Sequence, residues 1–202
     1  MKQIDYKEAR KLMLPGDVIA FGGKGLISAV IKNVTNCNVS HVGVILQTKV
    51  PTTEGHFINQ IIESTSLGDG FAGVQINRMS IRIKKYNGDI WWLPLSLDTR
   101  AKFDQGLFFS FLLEQVGKEY DGIQAIGSAL DYLPDNREDF DKLFCSELVH
   151  AGLVVGGVIE DGNSSEKTPA DNCRMHIYRE VCQLVGRPKE LFKIKGFSQS
   201  LH

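Results

Sequence analysis

The first half of the chain carries short apolar and β-branched runs that are separated by turn-forming residues. Such runs predict β-strands, because alternate side chains of a strand point to opposite faces of a sheet. The predicted strands cover residues 17–21, 41–46, 57–64, 74–83 and 90–93. The strands at 41–46 and 57–64 follow one another directly and are expected to pair as neighbours.

The pattern changes at about residue 99, where apolar residues recur at helical spacing. Predicted helices cover residues 1–14, 25–36, 103–116, 123–130 and 143–155, and one more begins at the capping sequence Thr168-Pro169-Ala170-Asp171. Residues 134–141 form an acidic surface loop, and the tail after Gly186 has no clear pattern. These elements predict an α+β fold in a single domain over residues 1–202, with a core over about residues 14–185.

Composition narrows the class of protein. The 202 residues are 43% hydrophobic and 23% charged, as expected of a globular domain, and the net charge of −1 gives no reason to expect a nucleic-acid partner. The charged N-terminus is unlike a secretory signal, and no stretch predicts a membrane span, so we expect a cytoplasmic protein without stable membrane insertion. Because thiols stay reduced in the cytoplasm, the four cysteines are expected to be reduced. The sequence pattern predicts no particular oligomeric state.

Cys145 is the first candidate for chemistry, because it lies in the first turn of the helix predicted over 143–155. A helix N-terminus presents unpaired N–H groups and a partial positive charge, which favour a thiolate and can form part of an oxyanion hole. The alternative is that Cys145 is a small buried residue of an apolar helix.

His41 opens an apolar strand, where rigid surroundings would hold its imidazole as a general base. A third group should accept the other ring N–H, and Glu63 lies on the strand expected beside His41. His56, at the start of the same segment, is an alternative orienting residue. A surface histidine and a solvent-facing glutamate are the ordinary interpretations of these residues.

Other residue sets predict different chemistry less well. His150 lies five residues after Cys145, so a helix turns it away from the face of the cysteine. A zinc site could combine Cys37 and His41 with a second pair, Cys173 and His176, but no CxxC pair supports it. Ser146 lacks the glycines of a serine nucleophile elbow.

Five short motifs occur in an order that resembles a known family. They are Leu14-Pro15-Gly16-Asp17-Val18-Ile19, Ser40-His41-Val42-Gly43-Val44-Ile45, Ile62-Glu63-Ser64, Gly117-Lys118-Glu119-Tyr120-Asp121 and Phe144-Cys145-Ser146-Glu147-Leu148-Val149. Together they resemble the circularly permuted NlpC/P60 proteins, and the YiiX/YebB-like branch in particular. In that branch the histidine precedes the cysteine in the chain.

The resemblance implies a permuted papain-like fold, in which a central antiparallel sheet or partial barrel packs against helices and the nucleophile lies at a helix N-terminus. It implies Cys145 as nucleophile, His41 as base and Glu63 as orienting residue. Tyr120 and Ser146 would shape the oxyanion region, and Asp17 would be structural.

The function implied is a thiol hydrolase that cleaves amide bonds through an acyl-enzyme, without a metal or an organic cofactor. Small peptides and amino-acid conjugates, including cell-wall peptides, are the expected substrates. A lipid acyltransferase or lipid hydrolase similar to the lecithin retinol acyltransferase group is the alternative enzyme, with an acyl lipid as substrate. A binding module without turnover is the alternative outside catalysis.

Overall fold

A computed structural model describes residues 2–66, 71–119, 141–160, 164 and 167–186. It is an α+β fold built on a mixed seven-stranded sheet, with strand order β1-β7-β6-β2-β3-β4-β5. The strands are β1 (Lys2–Gln3), β2 (Val18–Gly23), β3 (His41–Pro51), β4 (Phe57–Ser66), β5 (Ala72–Arg78), β6 (Gly88–Leu93) and β7 (Cys182–Val185). The helices are α1 (Tyr6–Leu12), α2 (Leu26–Val34), α3 (Met79–Lys85), α4 (Leu97–Lys102), α5 (Gln105–Gln115), α6 (Asp141–Val155) and α7 (Pro169–Arg174).

The centre of the sheet is antiparallel, as predicted, and β3 pairs with β4 as expected. A parallel pair at one edge, β1 with β7, makes the whole sheet mixed. The sequence pattern did not predict either of these strands. Both are short, and β7 follows a region in which helical spacing dominates, so neither offers the long alternation by which a strand is recognised.

The prediction of a strand over residues 74–83 was wrong in its second half. Strand β5 ends at Arg78, and α3 follows at once. The β-branched residues around Arg82 favoured a strand, but the side chains that become buried are Met79 and Arg82, three residues apart. That spacing is helical, and burial of this face determines the structure.

The helix predicted over 103–116 is confirmed as α5, and α4 is a separate helix before it that the sequence pattern did not predict. Each has its own N-cap, since the Ser96 side chain accepts a hydrogen bond from the Thr99 amide and the Asp104 side chain accepts one from Leu107. The capping box predicted at Thr168 and Asp171 is confirmed at the start of α7. The helix predicted over 123–130, Tyr120 and the C-terminal tail lie outside the described residues. So does the loop predicted over 134–141, except for Asp141, which is the first residue of α6 instead.

Helices cover both faces of the sheet. On one face, α6 packs over β3 and β4, and α5 packs against α6, in a core that includes Val42, Val44, Leu112, Cys145 and Val149. On the other face, residues of α1 and α3 join Ile19, Phe21, Ile45 and Ile61. Successive residues of β3 therefore alternate between two buried layers. None of the helices in the described ranges has the length and apolar character needed to cross a membrane.

Asp17 ties the turn before β2 to the rest of the fold. Its buried carboxylate accepts hydrogen bonds from the backbone amides of Leu14 and Leu95 and from the indole of Trp92. The Arg100 guanidinium completes the set as an ion pair. This is the structural use expected for Asp17.

Candidate active site around Cys145, His41 and Glu63

Glu63 is a fully buried carboxylate on β4, and four polar contacts surround it. Oε2 contacts Nε2 of His41 at 2.8 Å and accepts a 3.0 Å hydrogen bond from Nη2 of Arg82. Oε1 lies 2.6 Å from Nε of Arg82 and accepts a 3.2 Å hydrogen bond from Nδ2 of Asn77. Three of these contacts are hydrogen bonds and the fourth, with Nε of Arg82, is an ion-pair contact, so both carboxylate oxygens are engaged.

The charge state of Glu63 follows from this environment. Burial alone would raise the pKa of its carboxyl, but the Arg82 guanidinium and the His41 hydrogen bond outweigh burial and lower the pKa below its ordinary value. Glu63 is therefore an anion inside the protein, and the adjacent guanidinium balances its charge.

His41 is the first residue of β3 and is almost completely buried. The register places it opposite Phe21 of β2, and the two ring centroids are 5.2 Å apart. Because an ionised Glu63 has no proton to donate, the 2.8 Å contact requires Nε2 of His41 to be the donor. A neutral imidazole in this position therefore carries its proton on Nε2 and its lone pair on Nδ1.

Cys145 is the fifth residue of α6, rather than part of its first turn, because the helix already includes Asp141. Its thiol is completely buried, and burial raises its pKa to about 12. Hydrogen bonds from the Val42 and Ser146 amides act in the opposite direction but do not offset the loss of hydration. The expectation of a thiol pKa lowered by the helix N-terminus was wrong for this reason.

Strand β3 links the cysteine to the histidine. The Sγ atom of Cys145 accepts a 3.4 Å hydrogen bond from the backbone amide of Val42, the residue after His41. Strand β3 pairs with β4 from Val44↔Ile62 to Pro51↔Phe57. The Val42 amide lies before the first of these pairs. The negative charge of Glu63 also raises the pKa of Cys145, which places the carboxylate within electrostatic range of the sulfur.

The structure brings Glu63 rather than His56 to the imidazole. His56 is exposed in the turn between β3 and β4, where its backbone bonds to Thr52. Ser146 is buried, and its hydroxyl donates to the carbonyl of Lys167, so its contribution to the sulfur is its amide. Nδ1 of His150 contacts the hydroxyl of Ser164.

Arg82, Asn77, Phe21 and Tyr86 are site residues that the sequence pattern did not reveal. The Arg82 guanidinium lies 5.1 Å from the ring centre of Phe21 and 5.5 Å from that of Tyr86. Arg82 was predicted in a strand, where the direction of its side chain would have been different. A buried arginine can be recognised in a sequence only when its acidic partner is known. No short motif links residues 63 and 82.

The zinc hypothesis gains no support from the geometry. All four cysteines are thiols, and all are buried. Within the residues that the structure describes, no group of three or more His, Cys, Asp or Glu side chains is placed to hold a metal ion.

Comparison of the sequence with protein-family models and with curated protein sequences gives no match. The case for a function therefore depends on the geometry of the site and on the sequence motifs.

Proposed function

We propose that this protein is a cysteine hydrolase of the permuted papain-like kind, with Cys145 as nucleophile, His41 as general base and Glu63 as the residue that orients the base. The observation that carries this proposal is the buried contact between Nε2 of His41 and Glu63, one residue away from the amide that binds Cys145 Sγ. A nucleophile, a base and an acceptor for the base are the three parts that thiol acyl transfer requires.

The reaction begins with a neutral thiol, because the pKa of Cys145 is raised to about 12. Nδ1 of His41 takes the thiol proton as the sulfur attacks the carbonyl carbon of an amide. The C–N bond then breaks, and the proton passes from His41 to the leaving amine. Water, deprotonated by the same imidazole, cleaves the thioester to release the acid and the thiol.

Backbone amides supply the stabilisation of negative charge in this proposal. Val42 and Ser146 direct N–H groups at the sulfur, where they favour the thiolate. Amides fixed in strand β3 and helix α6 do not need to reorient as charge develops, which is the property that makes such donors effective.

The order of the elements along the chain supports the permuted papain-like fold. The histidine strand precedes the cysteine helix in the chain, and α6 packs against β3 and β4. The same order of motifs produced the resemblance to the permuted NlpC/P60 proteins. Small peptides and amino-acid conjugates are the substrates we propose, since hydrolysis of an amide needs the proton transfer to a leaving amine that His41 would provide.

Alkylation by iodoacetamide, quantified by mass spectrometry at each cysteine, tests the proposal. Cys37, Cys173 and Cys182 are buried thiols of the same chain and serve as internal controls. We expect Cys145 to react fastest near neutral pH and His41→Ala to slow Cys145 alone. Equal reactivity of the four thiols, or an unchanged Cys145 rate in His41→Ala, contradicts the proposal. Assays with amide and lipid-ester substrates then separate a peptide hydrolase from a lipid enzyme.

A further inference from the structure

We propose that Arg82 is a positioning residue that sets the tautomer of His41. Its charge keeps Glu63 ionised, and an ionised Glu63 forces the proton of the neutral imidazole onto Nε2. The effect on catalysis rests on the proposed function, but the effect on the tautomer does not.

The environment of the Glu63 carboxylate disfavours its charged form unless a cation lies beside it. Glu63 has no exposed surface, and such a carboxyl without a cation takes up a proton rather than remain charged. Among the contacts of Glu63, Arg82 is the group that always carries a positive charge, and it faces both carboxylate oxygens. Asn77 donates to Oε1 but supplies no charge.

The protonation state of Glu63 determines which nitrogen of the His41 imidazole carries the proton. A protonated Glu63 would carry an O–H group that donates to Nε2 of His41, and the imidazole proton would then lie on Nδ1. That tautomer has no lone pair on Nδ1 with which to accept the thiol proton. Loss of the charge at residue 82 would therefore disable the base without removing it.

The Arg82 side chain is held in place by its surroundings. Its side chain is 7% exposed, and its guanidinium lies against the rings of Phe21 and Tyr86. Phe21 also contacts His41, so one ring restrains both the guanidinium and the imidazole. Cys145 and Tyr86 also face Glu63, but burial, together with the carboxylate, raises the pKa of both groups, so both are neutral near neutral pH. Neither can replace the cation.

The test compares Arg82→Gln with Arg82→Lys. Glutamine can still donate to Glu63 but brings no charge, whereas lysine keeps the charge and loses the planar fork. Long-range ¹H–¹⁵N correlation of the histidine rings reads the tautomer, with His41 assigned by its loss in His41→Ala. Circular dichroism verifies the fold, and Arg78→Gln, which changes an exposed arginine at the start of α3, is the matched control.

We expect Arg82→Gln to move the His41 proton from Nε2 to Nδ1 and to slow acylation of Cys145 by about 10²–10⁴-fold, the usual contribution of a general base. Arg82→Lys should retain the Nε2 proton, with a smaller loss of rate. In a third variant, Arg82→Ala, added millimolar guanidinium should restore part of the rate of Cys145 acylation. A folded Arg82→Gln protein that keeps the Nε2 proton overturns the proposal.

Glu63→Gln provides a second test, which decides the case where Arg82→Gln does not fold. Arg82 can only bind the amide oxygen of the new side chain, so the amide NH₂ turns toward His41 and should again place the imidazole proton on Nδ1. An Nε2 proton in that variant contradicts the role of Arg82. A tautomer that responds as expected in a protein whose Cys145 never acylates would refute the proposed function and leave this inference standing.

Discussion

Nε2 of His41 lies 2.8 Å from Oε2 of Glu63, with neither side chain more than 2% exposed. The contact joins the first residue of β3 to β4, and Arg82 closes it from helix α3. Removal of one of these buried side chains leaves the charges or hydrogen-bonding groups of the other two without a partner, which is costly in the protein interior. Stability and proposed chemistry therefore depend on the same three side chains.

Acid should weaken the fold through Glu63. Its pKa is lower in the folded protein than the ordinary value of 4.5, so the unfolded chain binds the proton more tightly. The contribution of Glu63 to stability is complete above pH 4.5 and is lost as the pH falls through the lowered folded value. Urea unfolding of the wild type and Glu63→Gln should show a difference in free energy at neutral pH that narrows in acid. A difference that is constant with pH would contradict the lowered pKa.

Gly43 gives Glu63 the room that it occupies. A Cβ added at Gly43 would lie 2.8 Å from Cδ1 of Ile61 and 3.1 Å from Cβ of Glu63. Gly43→Ala should displace β4, cost about 1–3 kcal/mol of unfolding free energy and reduce the His41-dependent reactivity of Cys145. Gly25→Ala is the control, since an added Cβ there meets nothing within 4 Å. Equal losses of stability and of Cys145 reactivity in the two variants would show that Glu63 does not need the space left by Gly43.

Asp17 should contribute to stability without contributing to reactivity. Asp17→Ala leaves two backbone amides, the Trp92 indole and the Arg100 guanidinium without their acceptor. We expect a loss of about 3 kcal/mol, near the lower end for a broken buried ion pair because Arg100 retains some exposure. Chemical denaturation measures it, with the exposed Asp98→Ala as control. A loss below that of Asp98→Ala would contradict the structural role.

The strands at the centre of the sheet and the candidate residues His41, Glu63 and Cys145 could be predicted from the sequence, because apolar alternation and short motifs are local signals. The antiparallel arrangement was implied by the family resemblance. Helix α3 could not be predicted, since the burial of Arg82 depends on a carboxylate on another strand. The same reason hid Arg82 from the predicted site. The raised pKa of Cys145 was also unpredictable, because it follows from packing in the folded core rather than from position in the helix.

Removal of the base should change how the Cys145 thiol responds to pH. In His41→Ala burial still raises the pKa of the thiol, and no imidazole is present to accept its proton, so its alkylation rate should rise steadily with pH through the alkaline range. In the wild type the base supplies a reactive fraction near neutral pH. Rates measured by quenched labelling across this range should therefore converge as the pH increases. Parallel profiles at all pH values would mean that His41 does not act on the thiol.

The central claim is that Cys145 forms an acyl-enzyme with the help of His41. The most direct measurement is mass spectrometry of the protein quenched in acid after mixing with an activated acetyl ester, followed by mapping of the acetyl group. We predict a thioester at Cys145 that accumulates in the wild type, forms far more slowly in His41→Ala and is absent in Cys145→Ala. Acetylation that is spread over other residues, or that is equal in the wild type and His41→Ala, would contradict the account.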